Sequence, residues 1–243
     1  MKVHHQNIKS SPSHDKHDKK LSYYIFYPLL MVFLMWLIFW VEDTFHLNFN
    51  RYGVYPRRWT GLRGIVFSPF IHAGFSHIFN NSIPLFVLLS FLFYHYRRIA
   101  WRILFWGFLL TGLLTWIIGR PSYHIGMSGI NYMLISFLFF SGVLIGYYRL
   151  IAVSLIVVFL YGSLIWFMFP LVKHMSWEGH LSGFVAGLFL AILYSSRLKK
   201  HYQNKKKVKM YPEDEVFLKH FDENGNFIEM TEQNPQKNET LDE

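Results

Sequence analysis

The stretch GMSGINYMLISFLFFSGVLIGYY, residues 126–148, has no charged residue and begins with a serine placed between glycines. About 20 apolar residues in α-helical form cross a hydrocarbon core of roughly 30 Å. The stretch therefore predicts a membrane-spanning helix with Ser128 near its start. The G-x-S-G motif alone says little, because small residues are common in membrane helices, where they let two backbones approach each other.

Composition supports a membrane protein. The chain has 243 residues, of which 52% are hydrophobic and 20% aromatic, and both values exceed those of a typical soluble domain. Between Thr44 and Pro212 the only acidic residue is Glu178. The net charge of +9 then indicates Lys and Arg flanking membrane spans rather than a nucleic-acid-binding surface. The absence of cysteine from the sequence excludes disulfides and thiol nucleophiles.

Six uncharged or nearly uncharged stretches are each long enough to cross the membrane once, so we expect an all-α bundle of six transmembrane helices. They cover residues 22–41, 71–96, 99–118, 126–148, 150–169 and 177–194. The membrane domain then occupies residues 21–196. Residues 1–20 are predicted to be a disordered tail. Residues 197–243 are predicted to be a soluble and mostly disordered tail, in which residues 222–226 favour a turn.

Lys and Arg set the expected orientation, since they are enriched in cytoplasmic loops. Both tails are basic next to the spans, and so are the turns that contain Arg97, Arg98 and Arg149. We therefore expect both termini in the cytoplasm, and accept that the arginines of the first outer loop break the rule.

With that orientation, spans two, four and six begin at one depth near the outer face. Their first turns carry the unusual polar residues, which are His72, His77 and Asn81 in span two, Ser128 in span four, and His180 in span six. Polar and ionisable residues inside a membrane are costly and usually face a cavity or one another. Three such clusters at one depth predict a shared polar site.

Small residues predict how the site closes. Gly183 and Gly187 follow His180 at three and seven residues, which places a groove beneath the histidine and lets span six pack against span four. That contact would bring the His180 imidazole to the Ser128 hydroxyl, with Tyr132 close enough to pack on the ring. A serine hydroxyl needs a base to become a nucleophile, and a neutral imidazole can be that base.

The predicted pair is a Ser–His dyad rather than a triad. The one nearby carboxylate, Glu178, lies two residues before His180, and residues at that spacing do not share a helix face. Acyl transfer also needs donors for a developing oxyanion. His77, Asn81 and the backbone N–H groups of Met127 and Ser128 are the candidates.

Together these residues resemble the rhomboid intramembrane serine proteases. The resemblance rests on three motifs: His72-(x)4-His77-(x)3-Asn81; Gly126-Met127-Ser128-Gly129-(x)2-Tyr132; and His180-(x)2-Gly183-(x)3-Gly187. It covers about residues 22–196. It implies a six-helix rhomboid bundle with a water-filled cavity open to the outside and cleavage of membrane-spanning substrates. It also implies Ser128 as the nucleophile, His180 as the general base, and His77 with Asn81 in the oxyanion hole. We expect a bacterial cytoplasmic membrane as the location.

Other readings are weaker. Zinc proteases of membranes use H-E-x-x-H, which the sequence lacks, so we expect neither a metal nor a cofactor. Aspartyl proteases need intramembrane aspartates, and the spans hold none. A non-catalytic relative that binds or escorts membrane proteins remains the alternative, although such relatives typically lose the serine or the histidine. A transporter or channel is disfavoured because internal repeats and charged core residues are lacking.

The remaining polar residues near the outer face are given structural roles. Glu178 is expected to be a solvated carboxylate at the rim of the cavity. Arg120 and Lys173 are expected to anchor the chain at the membrane interface. His124 and His174 are expected to be exposed in outer loops.

Overall fold

The computed structural model describes residues 13–172, 175–207, 219–221 and 226–227. Within these residues the helices are α1 (Ser13–Thr44), α2 (Gly64–Phe67), α3 (Phe75–His95), α4 (Ala100–Ile118), α5 (Ser128–Ile145), α6 (Tyr148–Tyr161) and α7 (Trp177–Lys207). Short 3-10 helices cover Asn50–Tyr52, Trp59–Arg63, Ser68–Phe70 and Gly162–Met168.

Six helical segments of the described chain are long and apolar enough to cross a membrane. They are Tyr23–Thr44, Phe75–His95, Ala100–Ile118, Ser128–Ile145, Tyr148–Met168 and Trp177–Lys200. The predicted all-α bundle with six transmembrane helices is confirmed.

The start of the first helix and the end of the last helix differ from the prediction. The sequence places residues 1–20 in a disordered tail, whereas α1 already begins at Ser13. At the other end, α7 continues to Lys207, beyond the predicted boundary at residue 197. Hydropathy marks where a helix leaves the lipid but not where it ends, because each added residue of a formed helix gains a backbone hydrogen bond. The rest of the predicted N-terminal tail, residues 1–12, lies outside the described residues.

The fifth span changes from an α-helix to a 3-10 helix after its first 14 residues. It is α-helical as far as Tyr161 and continues as a 3-10 helix over Gly162–Met168. A 3-10 helix pairs each carbonyl with the N–H three residues ahead instead of four, so the carbonyls point in different directions from those of an α-helix. Two of these redirected carbonyls reach the polar site.

The fourth span, α5, is the centre of the bundle. Buried residues make up 61% of it, against 11% of the first span. Helix α7 packs against it without intervening side chains, because a Cβ atom added at Gly183 would overlap the carbonyl oxygen of Gly129. A Cβ added at Gly187 would likewise overlap the carbonyl oxygen of Met133. The small-residue groove predicted beneath His180 is therefore present, and α5 fills it.

The chain entering α5 is fixed by the first outer loop. Val54 and His124 form an isolated antiparallel bridge with N–H···O distances of 3.0 and 2.9 Å. The Gly126 N–H donates to the carbonyl of Ser68 at 2.8 Å. These bonds hold the turn immediately before Ser128 in one conformation.

The C-terminal unit, residues 200–243, is described only in part. Phe221 and Phe227 form an isolated antiparallel bridge, and the ring of His220 stacks on that of Phe227. The bridge flanks the predicted turn, of which residues 222–225 lie outside the described chain.

Candidate active site

The hydroxyl of Ser128 and the imidazole of His180 meet where α5 and α7 begin. Ser128 is the first residue of α5 and His180 lies in the first turn of α7. The Oγ of Ser128 is 2.9 Å from Nε2 of His180, and His180 is only 6% exposed. The structure thus brings together the two side chains that the sequence places on separate spans.

The protonation of His180 follows from its second nitrogen. Nδ1 lies 2.8 Å from the carbonyl oxygen of Phe167, and because a carbonyl only accepts, Nδ1 carries the hydrogen. In the neutral ring Nε2 is then an acceptor, and the Ser128 hydroxyl donates to it. This is the tautomer that a general base requires. The 3-10 segment supplies the orienting acceptor that a carboxylate supplies in a triad.

Tyr132 holds the histidine ring from its face. The two rings are stacked with centroids 4.3 Å apart and an angle of 14° between their planes. The tyrosine hydroxyl donates to the carbonyl of Leu164, again in the 3-10 segment. The imidazole is therefore held in its plane by the hydrogen bond to Phe167 and on its face by the ring of Tyr132.

His77 presents a hydrogen-bond donor to the turn that precedes Ser128. Its Nδ1 accepts the N–H of Ala73 at 3.4 Å, which leaves the hydrogen of a neutral ring on Nε2. That Nε2 faces Gly126, where an added Cβ would lie 2.7 Å from it. Gly126 also has φ +103°, a conformation that favours glycine. Only glycine fits here.

Asn81 presents a second donor to the same space. Its Nδ2 gives one hydrogen to the carbonyl of His77 at 2.9 Å, and an amide nitrogen has two. The same nitrogen is 3.9 Å from the position that a Cβ on Gly126 would occupy. The N–H of Ser128, the first residue of α5, is a further candidate donor, because the first N–H groups of a helix have no partner within it.

The predicted donor role of Met127 needs a correction. Its backbone N–H is buried and points to Nε2 of His72 at 3.4 Å, and Nδ1 of His72 lies 3.2 Å from the carbonyl of Phe70. His72 lies in the loop before α3 and not in the span. Burial and the neighbouring His77 lower the pKa of His72 to about 4, so the ring is a neutral acceptor that takes up the Met127 N–H.

Glu178 is not the solvated carboxylate that the sequence predicts. It is 2% exposed, and its Oε1 accepts the backbone N–H of Arg120 at 3.3 Å and lies 3.7 Å from the Arg120 Nε. Arg120, predicted as an interfacial anchor, is exposed but also donates to the carbonyl of Met175 at 2.5 Å. The sequence could not reveal this pairing, because the two residues are far apart in the chain and meet only after folding.

His124 is likewise buried, at 5% exposure, rather than exposed. Its Nε2 lies 3.1 Å from the carbonyl of Arg120, and its Nδ1 lies 2.6 Å from the Oγ of Ser176. Burial lowers its pKa. The other two residues given loop roles, Lys173 and His174, lie outside the described residues.

Room for water is present beside the serine. A cavity of about 410 Å³, which includes space open to solvent, is lined in part by Ser128, Thr111, Thr115 and Ser176. Its hydroxyl groups supply the polar partners that ordered water needs.

Sequence reasoning missed two contributors to this site. The Phe167 carbonyl is a backbone group, which no residue pattern reveals. Asn131, whose Nδ2 contacts Asn81, did have a signal: it is a polar amide within an uncharged span, three residues after Ser128, and such residues are functional candidates by default.

Comparison with known proteins identifies the family of this chain. The family model described as the Rhomboid domain matches residues 58–197. Uncharacterised proteins of Mycobacterium tuberculosis (strain ATCC 25618 / H37Rv) and Mycobacterium bovis are each 34% identical over 184 residues, which cover 71% of this chain and 75% of theirs. An uncharacterised protein of Mycobacterium leprae is 30% identical over 184 residues, 71% of this chain and 72% of its own. The chain is an integral, multi-pass membrane protein and belongs to the rhomboid family.

Proposed function

We propose that this protein is an intramembrane serine endopeptidase that cleaves transmembrane substrates near the outer membrane face. The observation that carries the proposal is the 2.9 Å contact between the Ser128 Oγ and the His180 Nε2, with Nδ1 committed to the Phe167 carbonyl. In this arrangement the imidazole can take the hydroxyl proton without first changing its tautomer.

The reaction proceeds through an acyl-enzyme. The Ser128 Oγ attacks the carbonyl carbon of the scissile bond while His180 takes its proton at Nε2. The oxyanion is bound by His77 Nε2–H, Asn81 Nδ2–H and the Ser128 N–H. His180 then gives the proton to the leaving amine as the C–N bond breaks. Water, deprotonated by the same imidazole, hydrolyses the ester and restores Ser128.

The proposed setting follows from the charge pattern. Lys and Arg flank the spans so that both termini lie in the cytoplasm, which puts the start of α5 near the opposite face. Since the relatives reported above are bacterial, we place the enzyme in a bacterial cytoplasmic membrane. Substrates would enter as membrane-spanning helices.

The test uses purified full-length protein in detergent with a model transmembrane substrate. We expect a fluorophosphonate probe to label the wild type at Ser128, and Ser128→Ala and His180→Ala to abolish cleavage. Undiminished cleavage by either variant would refute the dyad. A folded wild type that neither cleaves nor labels would favour the alternative, a non-catalytic family member that binds or escorts membrane proteins.

A further inference from the structure

Asn131 is a buried amide on α5, within the fourth membrane span. It is 3% exposed and lies one turn below Ser128. Burying an amide costs free energy unless it is hydrogen-bonded, and a leucine of similar size would fill the space without that cost. The identity of its partner therefore decides what the residue does.

The partner is Asn81 on α3. The Nδ2 of Asn131 is 3.2 Å from both the backbone oxygen and the side-chain Oδ1 of Asn81. Both of these atoms are acceptors, so the Asn131 nitrogen, and not its oxygen, must face them. The Oδ1 of Asn131 is buried with no hydrogen-bond partner in the described structure. All the polar contacts of this side chain are thus made by its donor end.

This contact and the carbonyl of His77 together determine which way the Asn81 amide faces. With its Oδ1 held by Asn131, Nδ2 turns to the opposite side, where it donates to the His77 carbonyl at 2.9 Å and faces Gly126 at 3.9 Å from the added Cβ position. Were the amide turned over, its oxygen would face the space beside Ser128. An oxygen there would repel an oxyanion instead of binding it.

We propose that Asn131 is a positioning residue, which holds the Asn81 amide with its N–H side toward the oxyanion. The inference rests on the proposed protease function. Asn131 itself does not contact the reacting atoms, since its two bonds go to Asn81. Its effect on the reaction passes through Asn81 alone.

A double-mutant cycle isolates that path. Asn81→Ala should lower kcat by about 10²-fold, the effect of losing one oxyanion donor. Asn131→Leu should lower kcat by about two- to threefold with KM unchanged, because the Asn81 amide, then held only by the His77 carbonyl, is turned over for much of the time. In an Asn81→Ala background, Asn131→Leu should leave kcat unchanged, since no amide is left to orient. The smaller Asn131→Ala is measured in parallel.

Ser141→Ala is the matched control. Ser141 is also buried on α5, lies near the other end of that helix, and shares a 2.7 Å hydrogen bond with Tyr96 at the end of α3. Its loss should lower the thermal unfolding midpoint in the same range as Asn131→Leu but leave kcat unchanged. A fall in kcat for Ser141→Ala equal to that for Asn131→Leu would mean that any lost α3–α5 bond has this effect, and would overturn the inference.

The remaining outcomes are also decisive. Equal losses from Asn131→Leu with and without Asn81 would show that Asn131 does not act through it. Unchanged kcat in folded Asn131→Leu, or failure of both Asn131 variants to fold, would make the residue purely structural. A folded wild type without cleavage or labelling overturns the proposed function and this inference with it, whereas an active wild type with an additive cycle overturns this inference alone.

Discussion

Two serine–histidine pairs lie at the same end of the molecule. Ser128 is 2.9 Å from Nε2 of His180, and Ser176 is 2.6 Å from Nδ1 of His124. In each pair the other ring nitrogen faces a backbone carbonyl, so each ring is a neutral acceptor of the serine proton. Both histidines are buried. By the hydroxyl–imidazole contact alone the two pairs are equivalent.

They differ in what surrounds the hydroxyl. Ser128 begins a helix, and the donors of His77 and Asn81 face Gly126, two residues before it. Ser176 lies in the loop before α7, and the groups described around it join that loop to the one after α4. Under the proposed function, a serine–histidine hydrogen bond forms a catalytic pair only where donors can bind the negative charge of the transition state. The bond between Ser176 and His124 is then a structural tie between two loops.

The largest expected difference between the pairs is in activity. Ser128→Ala should lower the cleavage rate by at least about 10³-fold, because no other hydroxyl occupies its place beside the proposed oxyanion donors. Ser176→Ala should lose one structural hydrogen bond but keep activity within about threefold, because Thr111 and Thr115 still line the cavity beside Ser128 with hydroxyl groups. Both are measured with the same transmembrane substrate, with mass spectrometry of the fluorophosphonate adduct. An adduct on Ser176, or equal losses in the two variants, would show that the surroundings do not separate the pairs.

The next largest effect concerns the close approach of α7 to α5 at Gly183, which brings His180 to Ser128. Gly183→Leu would force a side chain into the Gly129 carbonyl and push α7 from α5, separating Ser128 from His180. We expect cleavage to fall by about 10²-fold or more, since small displacements of catalytic groups cost that much. Val185→Leu, on an exposed position of the same helix, is the control. Full activity of folded Gly183→Leu would contradict the role given to this close approach.

The two pairs also show which parts of the site could be predicted from the sequence. The residues carried by spans, Ser128, His77 and His180, are placed correctly relative to one another because helix length and the spacing of small residues determine which turns share a depth. His124 and Ser176 are loop residues, and the prediction of an exposed His124 is wrong because loop packing leaves no periodic signature. The role of the Phe167 carbonyl was not predicted for a third reason. Hydropathy does not distinguish an α-helical span from one that ends in a 3-10 helix.

Arg120, whose carbonyl faces His124, also pairs with Glu178, and this ion pair should contribute to stability. Arg120→Met would leave the Glu178 carboxylate buried without its cation, and we expect the free energy of unfolding to fall by about 3 kcal/mol. Glu178→Gln removes the charge and leaves an exposed arginine, so its cost should be only about 1 kcal/mol. Thermal unfolding of the two variants in detergent measures the difference. A larger loss for Glu178→Gln than for Arg120→Met would mean that the buried charge is stabilised by something other than Arg120.

The smallest expected effect is on the pH dependence of stability, to which His72, beside His77, and His124 both contribute. His72 has a pKa lowered to about 4 by burial and by His77, whereas in the unfolded chain it titrates near 6.5. The unfolded state therefore binds more protons between these values, so stability falls as the pH drops below about 6.5 and the loss is complete near about 4. Between about pH 7 and about pH 5.5 the contribution is about 1 kcal/mol. The variant His72→Gln can still accept the Met127 N–H. It should make the unfolding midpoint depend less steeply on pH over that interval. The slope that remains should include the contribution of His124, whose pKa is also lowered by burial. If His72→Gln leaves the slope as steep as in the wild type, the neutral His72 ring is not what acid disturbs at this end of the bundle.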